Sequence, residues 1–319
     1  MKKKIALLVL GAFLVTGLAG CGSKVPDGTA ATVNGVAISQ EELDVNYNQF
    51  LQLYEYYGID TTAEDVRLEA RNSMLDTMIT QELLVQEAEN RGLSVTDEEV
   101  EEQLAALTES YYGGSTEEME AAVAEAGMTL DYYKETQREE LLLTKLQTDL
   151  VNNPEVVDVI KARHILVTSE EEATDIIAKL DAGEDFAALA QEYSLDGSAA
   201  DGGDLGYFAA NGVTTSRMVD EFTEGCLALE IGQYSPEPVQ SQFGYHIILL
   251  EDKASDVNLL EEAEKYSSVL EGIYRYGLNN LAANLAETAE IEILIDTTVA
   301  PEAPAVDTEA DAQNEETAQ

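Results

Sequence analysis

Tryptophan is absent from the 319 residues, and histidine, cysteine and proline are scarce, at two, two and six. Two cysteines cannot build a disulfide scaffold, nor a zinc site made of cysteines alone. Basic residues are also few: 17 Lys and Arg stand against 63 Asp and Glu, a formal charge of −46. Phosphate binding needs clustered cations, so nucleic acid is excluded as a partner. A polybasic patch is likewise excluded as the means of holding an anionic membrane. The longest apolar run, Ile5 to Ala19, falls short of the roughly 20 residues that span a bilayer. What remains is a globular composition, 45% apolar and 25% charged, with length for roughly two compact units.

The first residues read as an address. Lys2, Lys3 and Lys4 precede the Ile5–Ala19 run, the pattern of a secretory signal. Leu18-Ala19-Gly20-Cys21 resembles a bacterial lipobox. That resemblance implies cleavage before Cys21 and attachment of a diacylglycerol to its sulfur. The alternative is an ordinary secretory signal with an incidental cysteine. Buried acyl methylenes contribute about 0.8 kcal/mol each, so such an anchor holds a protein to a membrane without a spanning helix. Residues 1–20 are thus expected as signal peptide and 21–28 as a tether. The expected location is the extracytoplasmic face of the cell membrane.

Asn34-Gly35, between two short apolar stretches, predicts a hairpin within Thr29–Ile38. Ser39 with Glu42, Thr96 with Glu99 and Ser115 with Glu118 have the spacing of helix N-terminal caps. Leu75, Met78, Ile79 and Leu83 form one stripe of a helix over about 63–90, and another helix is expected over about 129–150. Residues 29–155 therefore read as a helical region closing at Asn153-Pro154. From Lys161 the pattern changes. Arg163 to Val167 and Gly244 to Leu250 read as strands. Helices are expected from the Ser169 cap to about 180, over 186–193 and over 218–229, with a Gly-rich loop over 197–206. Residues 257–288 return to helix, Ile291–Ile295 has strand character, and the acidic end, 297–319, reads as a disordered tail. The predicted fold class is α+β. A helical body formed by the N-terminal region and residues 257–296 carries an inserted α/β unit over 161–252.

Both histidines, His164 and His246, fall on the two expected strands among apolar neighbours. Taken singly, each fits a satisfied core histidine. Together with their surroundings they are similar to a known family. ARHIL (162–166), SLDGSAADGGDLGYF (194–208), Met218, Phe222 and FGYHII (243–248) resemble the parvulin-type peptidyl-prolyl cis-trans isomerases. The helical flanks and lipobox resemble the extracytoplasmic foldase lipoproteins of the PrsA type and, more distantly, the SurA chaperones. The resemblance implies a prolyl pocket made by Leu205, Met218 and Phe222 over paired His164 and His246. Ser241 would supply a hydroxyl to that pair, and Asp196 would stand where some members carry cysteine. The glycines around 202–206 lack the lysine of a phosphate-binding loop and read as positive-φ turn positions that present Leu205. The acidic stretch Ser169-Glu170-Glu171 disfavours phosphopeptide recognition by like charge.

No cofactor is expected. No metal is expected either, since Cys226 sits on an apolar helical face and no pair has zinc-site spacing. The function implied is a membrane-tethered foldase, a helical chaperone body with a prolyl isomerase. Its partners would be unfolded or partly folded secreted proteins containing X-Pro bonds. The alternatives are a holding chaperone that uses the parvulin fold for peptide binding alone, and a solute-binding lipoprotein. The sequence specifies no oligomeric state.

Overall fold

The computed structural model describes residues 25–212, 214 and 218–302. The signal segment, the lipobox with Cys21, Arg217 and the acidic end beyond Glu302 lie outside the described residues. The chain forms two units. One comprises residues up to Thr144 together with those from Leu285 onward; the other is Lys145–Asn284.

The first unit opens with the expected hairpin, β1 (Thr29–Val33) and β2 (Val36–Ser39). Asn34 and Gly35 both take positive φ, 52° and 83°, which is the turn whose twist matches the paired strands. Ser39 then caps α1 (Gln40–Tyr56), exchanging bonds with Glu42 at 3.1 Å and 2.9 Å. Four helices follow: α2 (Glu64–Asn90), α3 (Asp97–Tyr112), α4 (Thr116–Glu125) and α5 (Leu130–Asn152), whose residues from Lys145 onward belong to the second unit. Thr96 and Ser115 cap α3 and α4 as the spacing predicts. The α2 stripe is buried on the hairpin: Leu75, Met78, Ile79 and Leu83 share one cluster with Ala31, Val33, Ile38 and Leu43.

The second unit is built on β3 (Val157–Val167). After it come α6 (Glu170–Asp181), α7 (Phe186–Tyr193), a 3-10 turn (Gly197–Asp201), β4 (Asp204–Ala209), α8 (Asp220–Leu227), β5 (Val239–Ser241), β6 (Gly244–Val257) and α9 (Ser267–Thr288). The sheet is antiparallel in the order β4-β3-β6-β5. Both central strands are apolar on both faces, and their alternation divides the core. Ile165, Val167 and Ile247 face α6 and α7. Ile160, Ala162, Ile248 and Leu250 pack with Phe222 and Cys226 of α8. Among the described residues no helix is long and apolar enough to cross a membrane.

Five expectations need correction. The stretch 197–206 is not one loop, because β4 begins at Asp204 and pairs with β3. The sheet also outgrows 161–252: β3 starts at Val157 and pairs through to Val257. Residues 257–266 are therefore not helical, and α9 begins only at Ser267. Most of α9, as far as Asn284, belongs to the second unit. What returns to the first unit is its last turn and β7 (Ile291–Ile293), which adds to β1 as a third strand. Residues 297–302, expected within the tail, are instead held by α2: the carbonyls of Thr297 and Pro301 accept bonds from Asn72 and Arg67, each at 3.0 Å.

Candidate active site

His164 and His246 are 82 residues apart in sequence and diagonal neighbours in space. In the β3–β6 register His164 pairs with Ile248 and Leu166 with His246, so both imidazoles project from the face covered by α8. Their Nδ1 atoms lie 3.2 Å apart, with the rings within 19° of parallel. Phe222 stands across both, its ring centre 5.4 Å from His164 and 5.3 Å from His246. Leu205 and Met218, half-buried, pack on the same cluster. Chain order separates these residues; the strand register and α8 bring them together.

Polar groups close each end of the pair. Ser241, at the end of β5, places its hydroxyl 2.7 Å from His246 Nε2 and accepts the amide of Phe243 at 3.1 Å. At the other end, Asp196 Oδ1 lies 3.1 Å from His164 Nε2, without forming a hydrogen bond to it. Partial burial pushes the Asp196 carboxyl up, but the Ser198 hydroxyl and amide together with His164 outweigh it and hold the group at about 2. It is a carboxylate at neutral pH and can only accept. Burial, reinforced by neighbouring His164, depresses His246 to about 4, so that imidazole is neutral.

These states orient a chain of protons. If His164 turns an N–H toward ionised Asp196, its Nδ1 is the acceptor when the ring is neutral. His246 must then donate from Nδ1, and its free Nε2 accepts the Ser241 hydroxyl. With that tautomer the direction would run from Ser241 through both rings towards Asp196. Nothing here resembles an activated nucleophile. Cys226 lies in the apolar cluster with its thiol pushed up to about 12 by burial.

Three positioning groups were not visible as such in the sequence. Ser194 accepts the Leu166 amide at 3.1 Å while the Leu195 amide donates to the Leu166 carbonyl at 2.8 Å, stitching the Asp196 loop to β3. Arg163 points away from the imidazoles. It binds Glu251 at 2.6 Å, Asp204 at 3.1 Å and the carbonyls of Asp201 and Gly202, pinning the turn that leads to Leu205. Gly203 (φ 78°) lies against the His164 backbone: a Cβ there would meet the His164 carbonyl oxygen at 2.2 Å. An arginine in a strand, a serine in a loop and one of several glycines carry no such signal until their partners are known.

Known proteins resemble this chain along most of its length. Residues 1–147 match the family described as SurA-like N-terminal domain, and residues 141–254 match the PPIC-type PPIase domain. The foldase protein PrsA of Caldanaerobacter subterraneus subsp. tengcongensis is 36% identical over 260 residues, covering 78% of this chain and 82% of that one. The PrsA of Halalkalibacterium halodurans is 31% identical over 281 residues, covering 82% and 76%. The crystal structure of the peptidylprolyl isomerase PrsA from Bacillus anthracis is 29% identical and superposes with a TM-score of 0.43, covering 70% of this chain and 99% of that one. It is the sequence relationships that assign the family. The chain belongs to the PrsA foldases, and it is a peptidyl-prolyl cis-trans isomerase whose isomerase domain lies within residues 141–254.

Proposed function

We propose that this foldase works outside the cytoplasm, anchored to the cell membrane through a lipid on Cys21, and accelerates X-Pro isomerisation in secreted proteins as they fold. Leu205, Met218 and Phe222 hold the proline ring in this reading. His164, His246, Asp196 and Ser241 form the polar floor beneath the rotating bond.

The barrier to rotation about the peptide C–N bond is about 18–20 kcal/mol, and it arises from amide resonance. Catalysis needs a site that binds the twisted amide better than either planar isomer. The twisted amide has a pyramidal nitrogen and a less polarised carbonyl. An apolar wall with few, fixed dipoles suits that species and excludes water, which would restore resonance. His246, kept neutral by burial, offers a dipole and no charge. The Nδ1–Nδ1 contact at 3.2 Å carries this reading best, because two buried imidazoles, with Ser241 bonded to His246 and Asp196 beside His164, form a floor that need not reorganise during rotation. The helical first unit would hold unfolded chains while slow X-Pro steps proceed over tens of seconds or longer without catalysis.

The deciding experiment follows cis-to-trans conversion of an X-Pro peptide by the soluble chain beginning after Cys21. His246→Ala and Phe222→Ala are expected to lower kcat/KM by roughly a hundredfold with circular dichroism unchanged. Peptide binding without any acceleration by the unaltered chain would instead identify a holding chaperone. The anchor has its own test. Mass spectrometry of the mature N-terminus should find a diacylglycerol on Cys21, and Cys21→Ser should move the protein from the membrane fraction to the medium.

A further inference from the structure

The rim of the isomerase site is apolar and acidic at once. Leu195, next to Asp196, is 67% exposed, and Phe243, whose amide caps Ser241, is 62% exposed. Both border the strand end where Leu166 pairs with His246. Both side chains are left uncovered by the fold and are free to meet a substrate. Carboxylates accompany them from two separate elements. Asp196 reaches His164 from the loop after α7. Exposed Glu221 stands in the first turn of α8, immediately before Phe222, and acts on the His246 ring together with Asp196.

Six described cations of the second unit are engaged elsewhere. Lys161 and Arg163 are taken by Glu251 and Asp204, Lys265 by Asp252, and Arg275 by Glu271. Lys253 is taken by the carbonyls of Leu227 and Leu229, and Lys179 by Tyr193.

We propose that the site selects X-Pro bonds in which X is lysine or arginine, with Leu195 and Phe243 covering the aliphatic stem of X while Glu221 and Asp196 attract its cationic head. The inference rests on the isomerase reading of the same site. With the proline ring against Phe222, X carries the rotating carbonyl and lies over the rim beyond the imidazoles. A lysine or arginine has both halves of the required complement, a methylene stem and a terminal charge, and the Phe243 face adds a cation–π contact. An acidic X meets two like charges and gains nothing from the apolar rim.

The test is a set of peptides identical except for Lys, Ala or Glu before the proline, assayed with the full soluble chain. Two carboxylates about 8 Å from the head group, in a water-like dielectric, amount to roughly a fivefold gain in kcat/KM for Lys over Ala and a similar loss for Glu. In 1 M salt, where screening acts within about 3 Å, the three values should converge. Glu221→Gln should shrink the Lys-to-Glu ratio about fivefold, the ratio within each variant being independent of changes in folding or overall rate. Phe243→Ser should lower the Lys-to-Ala ratio. Equal turnover of all three peptides, or preference for Glu, overturns the charge selection and leaves the isomerase intact. Failure to turn over any of them removes the isomerase reading, and the selection with it.

Discussion

The His164 amide donates to the Gly203 carbonyl at 2.9 Å, and the same glycine has no room for a side chain, since a Cβ would sit 2.2 Å from the His164 carbonyl oxygen. The backbone that carries one imidazole is thus packed directly on the turn that leads to Leu205. Gly203→Ala adds a left-handed residue, about 1–2 kcal/mol, to an overpacked contact of about 1–3 kcal/mol. Thermal unfolding of the second unit should register a loss of about 2–5 kcal/mol, and the isomerase rate should fall with it. Gly197→Ala, with open space around it and no positive φ, should change stability by less than about 0.5 kcal/mol.

Acid should move the two units in opposite directions. His246 is held at about 4 in the folded chain against about 6.5 when unfolded. Below pH 6.5 the unfolded chain therefore binds the proton more readily, and the second unit loses stability down to about pH 4. In the first unit the order is reversed. Burial, opposed by a Gln86 hydrogen bond and reinforced by Glu89 and Glu42, raises Glu82 to about 7. Its charge costs stability above that pH, and the cost fades as pH falls toward 4.5. Calorimetry of the whole chain between pH 8 and 5 should show one transition falling and one rising, each by about 2–3 kcal/mol. His246→Gln should flatten the first and Glu82→Gln the second.

Ser241, 2.7 Å from His246 Nε2, is placed to select the tautomer of that ring. Ser241→Ala leaves buried Nε2 without its 2.7 Å partner, a penalty of about 1–3 kcal/mol, and frees the ring to exchange tautomers. Nitrogen chemical shifts of the two histidines should move from the pattern of a single tautomer toward an average. The rate should drop roughly tenfold while peptide affinity changes less. An unchanged histidine spectrum would count against the proton chain from Ser241 to Asp196.

Arg67 is buried and makes its bonds to the carbonyls of Thr61, Thr62 and Pro301. Arg67→Met should free residues 297–302 and cost about 2–4 kcal/mol, since the carbonyls lose a charged donor. Hydrogen exchange at Ile291–Ile293 and beyond should quicken, while isomerase turnover of a short peptide stays as it was. Lysine should rescue little of the loss, having no planar fork with which to reach three carbonyls.

Local rules were legible where the partners lie within four residues. Ser39, Thr96 and Ser115 cap helices because an oxygen three residues ahead of an amide needs no tertiary context. Asn34-Gly35 turns the chain for the same reason. Strand β4 and the second half of β6 were not legible. Asp252 to Asp256 has no apolar face, and Gly202 to Gly206 reads as a loop until β3 is there to pair with it.

By itself, then, the chain determined which residues were chemically available: two scarce histidines on apolar strands, an aspartate and a serine near them in motif, and three apolar side chains at family positions. Only the tertiary structure decided that Nδ1 faces Nδ1, that Arg163 and Ser194 brace the two loops, and that β7 closes the hairpin from the far end of the chain. The reason is range. Caps and turns are settled by torsions and hydrogen bonds among neighbours. A contact across 82 residues depends on one strand register, and that register is chosen by the burial of both sheet faces together.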